Sequence, residues 1–420
     1  MKTRTKATMR VLLFGALAFF TMTAAAEAAS GVVNGRLRFY QNQGNYCPSS
    51  RTCTAARYRQ ADYNINSRVR DVKVYLVAES GGVIGQGTTN SNGDYQISWY
   101  KFLWPWQSLG RARIEWYGEH RDGRFALKTS SGGRWVFWTP WSNITAGTTS
   151  SNRQSLGTRT WGNSSSPHAL ANLYDGAVRM WRDSLNSSNR MRNSFNGIEI
   201  RAYDSTTCPT SCASGPNKRI IIDSSGSAYR PQARVMHEMG HIASYLSKAR
   251  RACVDYTFGG NAGWNMTSSE WGCAGFEEAV ATFFGDRAIY WAASPQPTSC
   301  NSAGVCGSST SIETSTGSGS CVTGESRQPR TANRYLRDLY DSVNETNDGN
   351  TIGFSRFFDT LARFNNGSSN RAVDEPWNWW GTSLDDRDGR SARDFRAHIE
   401  GLTGSSTSSN FTNNCSPVGD

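Results

Sequence analysis

The sequence has no apolar run long enough to cross a membrane. The run Val11–Phe20 is well short of the ~20 residues that a spanning helix needs. It comes after several basic residues and before small residues that end at Ala28, a pattern typical of a secretory signal peptide. No cysteine follows the run directly, so the pattern does not indicate lipid attachment. We therefore expect residues 1–28 to be a signal peptide and the mature protein to be secreted.

The sequence also lacks the CxxC spacing of cysteine-based zinc sites. All ten cysteines follow the predicted signal peptide, and an even number in an exported chain favours disulfide bonds. Close spacing in the sequence suggests the pairs Cys47–Cys53, Cys208–Cys212, Cys253–Cys273 and Cys300–Cys306, which leaves Cys321 with Cys415.

Strong clustering of basic charge is absent as well. The formal net charge is +11, but the arginines are scattered along the chain. The tightest basic group after the signal peptide is Lys248, Arg250 and Arg251. A group of three with no recognition motif beside it does not indicate a nucleic-acid partner. Positive charge of this kind is compatible with acidic partners such as cell-wall polymers.

Residues 30–146 have the alternating pattern of β-strands. Apolar and polar residues alternate through Val72–Val77 and again through Tyr95–Tyr100, which follows the turn Asn92–Asp94. This pattern predicts an antiparallel β-sandwich with one exposed face per sheet. The stretch Gly87–Tyr95 resembles the transthyretin-like sandwiches found beside secreted enzymes, which implies an accessory domain.

After residue 146 the composition and then the period change. Residues 147–165 are rich in Thr, Ser, Asn and Gly, which predicts a linker. From His168 to Leu185 the apolar residues recur at helical spacing. Strands are predicted at 198–202 and 219–223, and further helices around 331–344, 352–364 and 391–401. We therefore expect an α+β protein whose second domain, residues 166–420, is mainly helical after the strand at 219–223.

The segment that carries chemistry is His237-Glu238-Met239-Gly240-His241, an HExxH sequence. Its apolar neighbours recur at helical spacing, and Pro231 is suited to a first helical turn. At ~100° per residue, His237 and His241 lie about 40° apart on the helix and face away from the apolar stripe. The helix can therefore present two imidazoles to one ion, with Glu238 beside them.

Zinc chemistry requires such an arrangement. A catalytic zinc takes three protein ligands and a water molecule, whose pKa the metal lowers. A nearby carboxylate then accepts the proton, which is the role predicted for Glu238 as general base. The alternative is a helix whose two histidines are simply satisfied by hydrogen bonds, because the motif is short enough to occur by chance.

The third ligand must come from elsewhere. Ser244 and Ser247 stand where the extended HExxHxxGxxH pattern needs glycine and histidine. The segment Phe276–Asp286 instead offers Glu277 and Glu278 in apolar surroundings, where a carboxylate is costly to bury unless it is paired or metal-bound. We predict Glu278 as the ligand, since it shares a helix face with small residues. Glu277 remains the alternative ligand or a partner of a ligand histidine.

Glu278-Ala279 after HExxH resembles the gluzincin, thermolysin-like class of secreted metallopeptidases. The resemblance implies Zn²⁺ held by His237, His241 and Glu278, with Glu238 as base and a protein or peptide as substrate. It also implies that the strand at 220–222 holds an extended substrate.

The sequence leaves the oxyanion-stabilising residue open, with Tyr256, Tyr290 and His398 as candidates. A cell-wall peptidase is the alternative enzyme, and a non-catalytic surface-binding or adhesion protein is the alternative outside enzymes. No membrane span and no nucleic-acid partner are expected for any of these.

Overall fold

The structure, a computed structural model, describes residues 27–42, 63–103, 108–161, 168–202, 211–222, 231–247, 272–290, 298–300 and 306–311, with Leu336, Phe357 and Leu361. The chain divides into two compact units. The first comprises Met1–Leu37, Asp71–Trp116 and Val136–Arg159, and the second comprises Arg38–Arg70, Tyr117–Trp135 and Thr160–Asp420.

Strands account for most of the regular structure. They are β1 (Glu27–Asn42), β2 (Tyr63–Arg68), β3 (Val72–Ala78), β4 (Val83–Thr88), β5 (Asp94–Leu103), β6 (Arg111–His120), β7 (Phe125–Lys128), β8 (Phe137–Trp138), β9 (Ser142–Asn143), β10 (Gln154–Trp161), β11 (Ile198–Ala202), β12 (Cys212–Ser214), β13 (Arg219–Ile222), β14 (Thr298–Cys300) and β15 (Cys306–Ser311). The α-helices are α1 (His168–Arg179), α2 (Asn189–Ser194), α3 (Pro231–Ser247) and α4 (Gly272–Tyr290). A π-helical turn (Met180–Ser184) and a 3₁₀ turn (Leu185–Ser187) follow α1.

The predicted fold class is wrong. Instead of an antiparallel sandwich followed by a helical zincin-like domain, the strands form a 13-stranded mixed sheet with the order β10-β1-β5-β4-β3-β6-β7-β11-β13-β12, which β2, β8 and β9 join at its sides. Strands hold 43% of the described residues and helices 30%. Alternation along one strand identifies its faces but not its neighbour, so the pattern could not show that β6 and β7 continue the ladder. The helices predicted beyond residue 330 lie almost wholly outside the described residues.

In the first unit the alternation of apolar residues builds the core. Val72, Val74 and Leu76 of β3 are completely buried. On β5 the buried face carries Tyr95, Ile97 and Trp99, all nearly inaccessible to solvent. Glycine on β4 makes room for these side chains, because a Cβ on Gly85 would lie 2.7 Å from Ile97 Cγ2. Strand β10 lies within residues 147–165, whose composition predicts a linker.

In the second unit a small parallel ladder leads to the helices. Strand β7 pairs in parallel with β11, and β11 pairs in parallel with β13. Strand β12 then pairs antiparallel with β13. Helix α3 contacts both β12 and β13, so the end of this ladder lies against the helix that carries HExxH.

A buried charge network fixes the start of α3. Asp175 of α1 is 3% exposed and forms ion pairs of 2.9 Å with both Arg70 and Arg179. Its Oδ2 also accepts a hydrogen bond of 3.0 Å from Gln232 Nε2 in the first turn of α3. A buried carboxylate is stable when its lone pairs are satisfied in this way, and here that requirement ties α3 to α1.

Two further features bear on the sequence expectations. No described helix combines the length and the apolar character that crossing a membrane requires. Cys300 and Cys306 lie directly opposite each other in the β14–β15 ladder. No pair of cysteines among the described residues lies at disulfide distance, so the suggested disulfide bonds stay predictions. The signal peptide also stays a prediction, because its residues 1–26 lie outside the described part of the chain.

Candidate metal centre

Helix α3 buries one face and leaves the two histidines partly accessible. Val235, Met239 and Ile242 are completely buried on the apolar stripe. The side chains of His237 and His241 are about one-seventh exposed, at 15% and 14%. Residues four apart lie above one another on a helix, so both imidazoles point to the same place.

Helix α4 crosses α3 at very short range because Gly240 lies inside the motif. A Cβ on Gly240 would be 2.6 Å from both the Cα and the carbonyl oxygen of Ala281. A second glycine, Gly285, faces the backbone of His237 with a less tight 3.5 Å approach. Close contact between the two backbones allows a glutamate on α4 to reach the imidazoles on α3.

Three potential ligand atoms meet at this crossing. His237 Nε2 and His241 Nε2 are 3.2 Å apart. Glu278 Oε2 is 3.1 Å from the first and 3.4 Å from the second. Tetrahedral ligands at zinc distances of about 2.0–2.1 Å would be separated by about 3.3 Å. The triangle therefore has the dimensions of a set of ligands that share one ion.

The carboxylate oxygen in this triangle is buried beside two imidazoles. Glu278 is 3% exposed, and its Oε2 accepts no hydrogen bond of acceptable geometry from the described residues, although both imidazoles are within ion-pair distance. A buried oxygen in this situation needs a cation or another partner to offset its desolvation. Two imidazoles and one carboxylate are a donor set that catalytic zinc uses.

Negative charge dominates the surroundings of the triangle. Glu238, Glu277 and Glu278 are all at least 96% buried. Burial alone would lower the pKa of His241, but the negative charges of Glu278, Glu238 and Glu277 outweigh it and raise that pKa. Burial alone would raise the pKa of Glu278, and the two neighbouring imidazoles lower it instead. A divalent cation fits this excess of negative charge.

The adjacent glutamates have different surroundings. Glu277 Oε2 accepts a short hydrogen bond, 2.6 Å, from Ser244 Oγ on α3, so this carboxylate lies one turn further along the helix pair. Glu278 alone of the two belongs to the group whose ligand atoms lie within 4.8 Å of one another. Glu238 is buried next to the group, close enough for its charge to raise the pKa of His241.

Sequence reasoning missed two residues at this centre. Thr282 Oγ1 lies 3.3 Å from His237 Nδ1, on the side of the ring away from Glu278. Gly240 permits the helix crossing, and its position inside the motif was the available signal. Of the oxyanion candidates, Tyr256 and His398 lie outside the described residues, and Tyr290 ends α4 with a side chain that the structure does not describe.

The strand at 220–222 does not have a free edge. Strand β13 is paired on one side by β11 and on the other by β12. The terminal strand of this ladder among the described residues is β12, which also contacts α3. Among the described strands, β12 is therefore the one at this end of the sheet beside which an extended partner could be added.

Replacing Gly240 by alanine should loosen the helix crossing. The new Cβ would meet backbone atoms of Ala281, which cannot rotate away, so the helices must separate. We expect the free energy of unfolding to fall by about 1–3 kcal/mol, and metal affinity to fall with it. Urea titration and zinc binding measure the two effects.

Gly285→Ala is the matched control, since its Cβ would make an ordinary 3.5 Å contact in the same helix pair. The higher helix propensity of alanine should change stability by no more than about 1 kcal/mol, in the favourable direction. Equal effects of the two substitutions would show that close approach at Gly240 is not what positions the ligands.

Comparisons with known proteins add little. No protein-family model matches the chain, and no characterised protein does. Among solved structures it is similar to a 9R-lipoxygenase from Cyanothece PCC8801 at 11% identity, over 50% of this chain and 27% of that chain, with a TM-score of 0.15. A likeness this weak carries no argument about fold or activity.

Proposed function

We propose that the protein is a secreted zinc-dependent peptidase. The observation that supports this most is the triangle of His237 Nε2, His241 Nε2 and Glu278 Oε2, whose sides of 3.1–3.4 Å fit three ligands of one ion. Because the same helix turn buries the carboxylate of Glu238 beside the triangle, the site combines a ligand set with a base.

In this proposal zinc, when bound, lowers the pKa of a water molecule and polarises the substrate carbonyl. Glu238 accepts a proton from that water molecule while the water oxygen attacks the carbonyl carbon. The same carboxylic acid then gives the proton to the amide nitrogen as the C–N bond breaks, which leaves Glu238 ionised again. Glu238 is adjacent to a ligand but not one of them, so its lone pairs are available for this transfer.

The substrate of such an enzyme is an extended peptide. Main-chain pairing with β12 would hold it in register without requiring particular side chains, by addition of a strand to a sheet edge. The contacts of α3 with β12 and β13 would keep such a peptide near the helix that carries His237 and His241.

The test measures zinc and hydrolysis in one preparation. We expect about one zinc per molecule, and cleavage of a fluorescently labelled unfolded protein that chelation stops and added Zn²⁺ restores. A protein that takes up no zinc after reconstitution would contradict the proposal. Zinc without cleavage of the labelled protein or of isolated cell wall would instead favour a surface-binding protein. Cleavage of cell wall alone would identify a cell-wall peptidase.

A further inference from the structure

We propose that Thr282 is a positioning residue that sets the tautomer and orientation of the metal ligand His237. The inference rests on the proposed zinc site and adds a part that the HExxH motif does not contain. It concerns the strength and geometry of metal binding, so it can be tested without any substrate.

The geometry places Thr282 on the side of the His237 ring away from the ligand cluster. Its Oγ1 is 3.3 Å from Nδ1, while Nε2 of the same ring is 3.1 Å from Glu278 Oε2. Thr282 and Glu278 are four residues apart on α4 and therefore lie on one face. One helix face thus contacts both nitrogens of this imidazole.

The chemistry of imidazole gives this contact a function. A neutral histidine carries its proton on one nitrogen and a lone pair on the other. If Thr282 Oγ1 accepts a hydrogen bond from Nδ1–H, the lone pair stays on Nε2, which is the atom in the ligand triangle. Ligand histidines usually have such a partner for their second nitrogen, most often a carboxylate, a carbonyl or water. Here a threonine hydroxyl occupies that position.

The hydroxyl of Thr282 has few alternative positions. Its β-branched side chain has restricted χ1 rotation in a helix, so Oγ1 cannot move far from Nδ1 without a change of rotamer. The alternative role of Thr282 is packing alone, because its neighbours in the chain, Ala281 and Phe283, are both buried. Packing needs the shape of threonine, whereas positioning needs its hydroxyl, so the two roles can be separated.

The experiment compares Thr282→Val, which keeps the shape, with Thr282→Ser, which keeps the hydroxyl. The zinc dissociation constant of each full-length protein is measured by competition with a chromophoric chelator. We expect Thr282→Val to weaken zinc binding by about 10- to 100-fold, and Thr282→Ser to remain close to wild type. In the Co²⁺-substituted proteins, the visible absorption bands should change for Thr282→Val only, because they report ligand geometry.

Ser244→Ala is the control, since it also removes a buried hydroxyl from the helix pair but one that bonds Glu277. It should lower stability without changing the Co²⁺ spectrum. If Thr282→Val binds zinc as tightly as wild type with an unchanged spectrum, the inference is wrong even though the zinc site stands. If wild type itself binds no zinc, it is the proposed function that fails. Should Thr282→Val not fold, Thr282→Ala with Thr282→Ser makes the same comparison, and equal zinc affinity in that pair overturns the inference.

Discussion

Replacing Glu238 by glutamine is expected to lower kcat for peptide hydrolysis by about 100- to 10,000-fold, while the zinc content stays at the wild-type level. Glutamine has nearly the shape of glutamate, but its amide cannot accept the proton that the attacking water must lose. Glu238 lies outside the ligand triangle, so the substitution leaves all three proposed ligands in place. Steady-state kinetics on a fluorogenic peptide and elemental analysis of the same sample give the two values.

Glu115→Gln is the control for this substitution. Glu115 is also a buried glutamate, 7% exposed, but it pairs with Arg113 in the first unit. The Glu115→Gln substitution should leave kcat unchanged. A Glu238→Gln protein that retains both zinc and full activity would exclude Glu238 as the base. Loss of zinc together with activity would mean that Glu238 binds the metal.

Replacing Glu278 by glutamine is expected to weaken zinc binding by more than about 100-fold. A loss of that size is the most that removing a residue hydrogen-bonded to a ligand usually causes. The substitution removes the negative charge from the oxygen that lies 3.1 Å and 3.4 Å from the two imidazoles. Hydrolysis should fall with the zinc content. Chelator competition on the purified proteins measures the affinity.

Glu277→Gln is the adjacent control. Its carboxylate accepts a hydrogen bond from Ser244 and is not part of the triangle. Zinc binding should therefore remain within about tenfold of wild type, the lower end of the loss seen when a residue that hydrogen-bonds a ligand is removed. Reversed results, with zinc lost in Glu277→Gln and kept in Glu278→Gln, would show that α4 presents its other face to the histidines. Unchanged affinity in both variants would exclude a ligand from α4.

Local features of the chain were readable from the sequence. The spacing of His237 and His241 places both imidazoles on one helix face, because positions four apart repeat nearly every turn. The alternation in β3 and β5 gave the buried positions Val74 and Ile97 for the same kind of reason, since strand side chains change face at every residue. Neither of these two predictions depends on what the helix or strand packs against in the folded protein.

Features that involve two elements were not readable in the same way. The fold class was predicted wrongly, as a sandwich followed by a helical domain, because hydrogen bonding between backbones carries little sequence information, and the ladder through β6 and β7 left no local signal. The resemblance implied that the strand at 220–222 holds an extended substrate, but the sequence pattern could not show its neighbours, and β11 and β12 occupy both sides of β13.

The choice between Glu277 and Glu278 shows most clearly what the sequence alone could not predict. Glu277 and Glu278 are about 100° apart on their helix, and composition gives each a reason to be buried. By itself the sequence determined that α3 offers two imidazoles and a carboxylate, because those positions follow from helix geometry alone. Only the tertiary structure decided that Glu278 meets them, since this depends on how α4 is rotated where Gly240 and Ala281 bring the two backbones together.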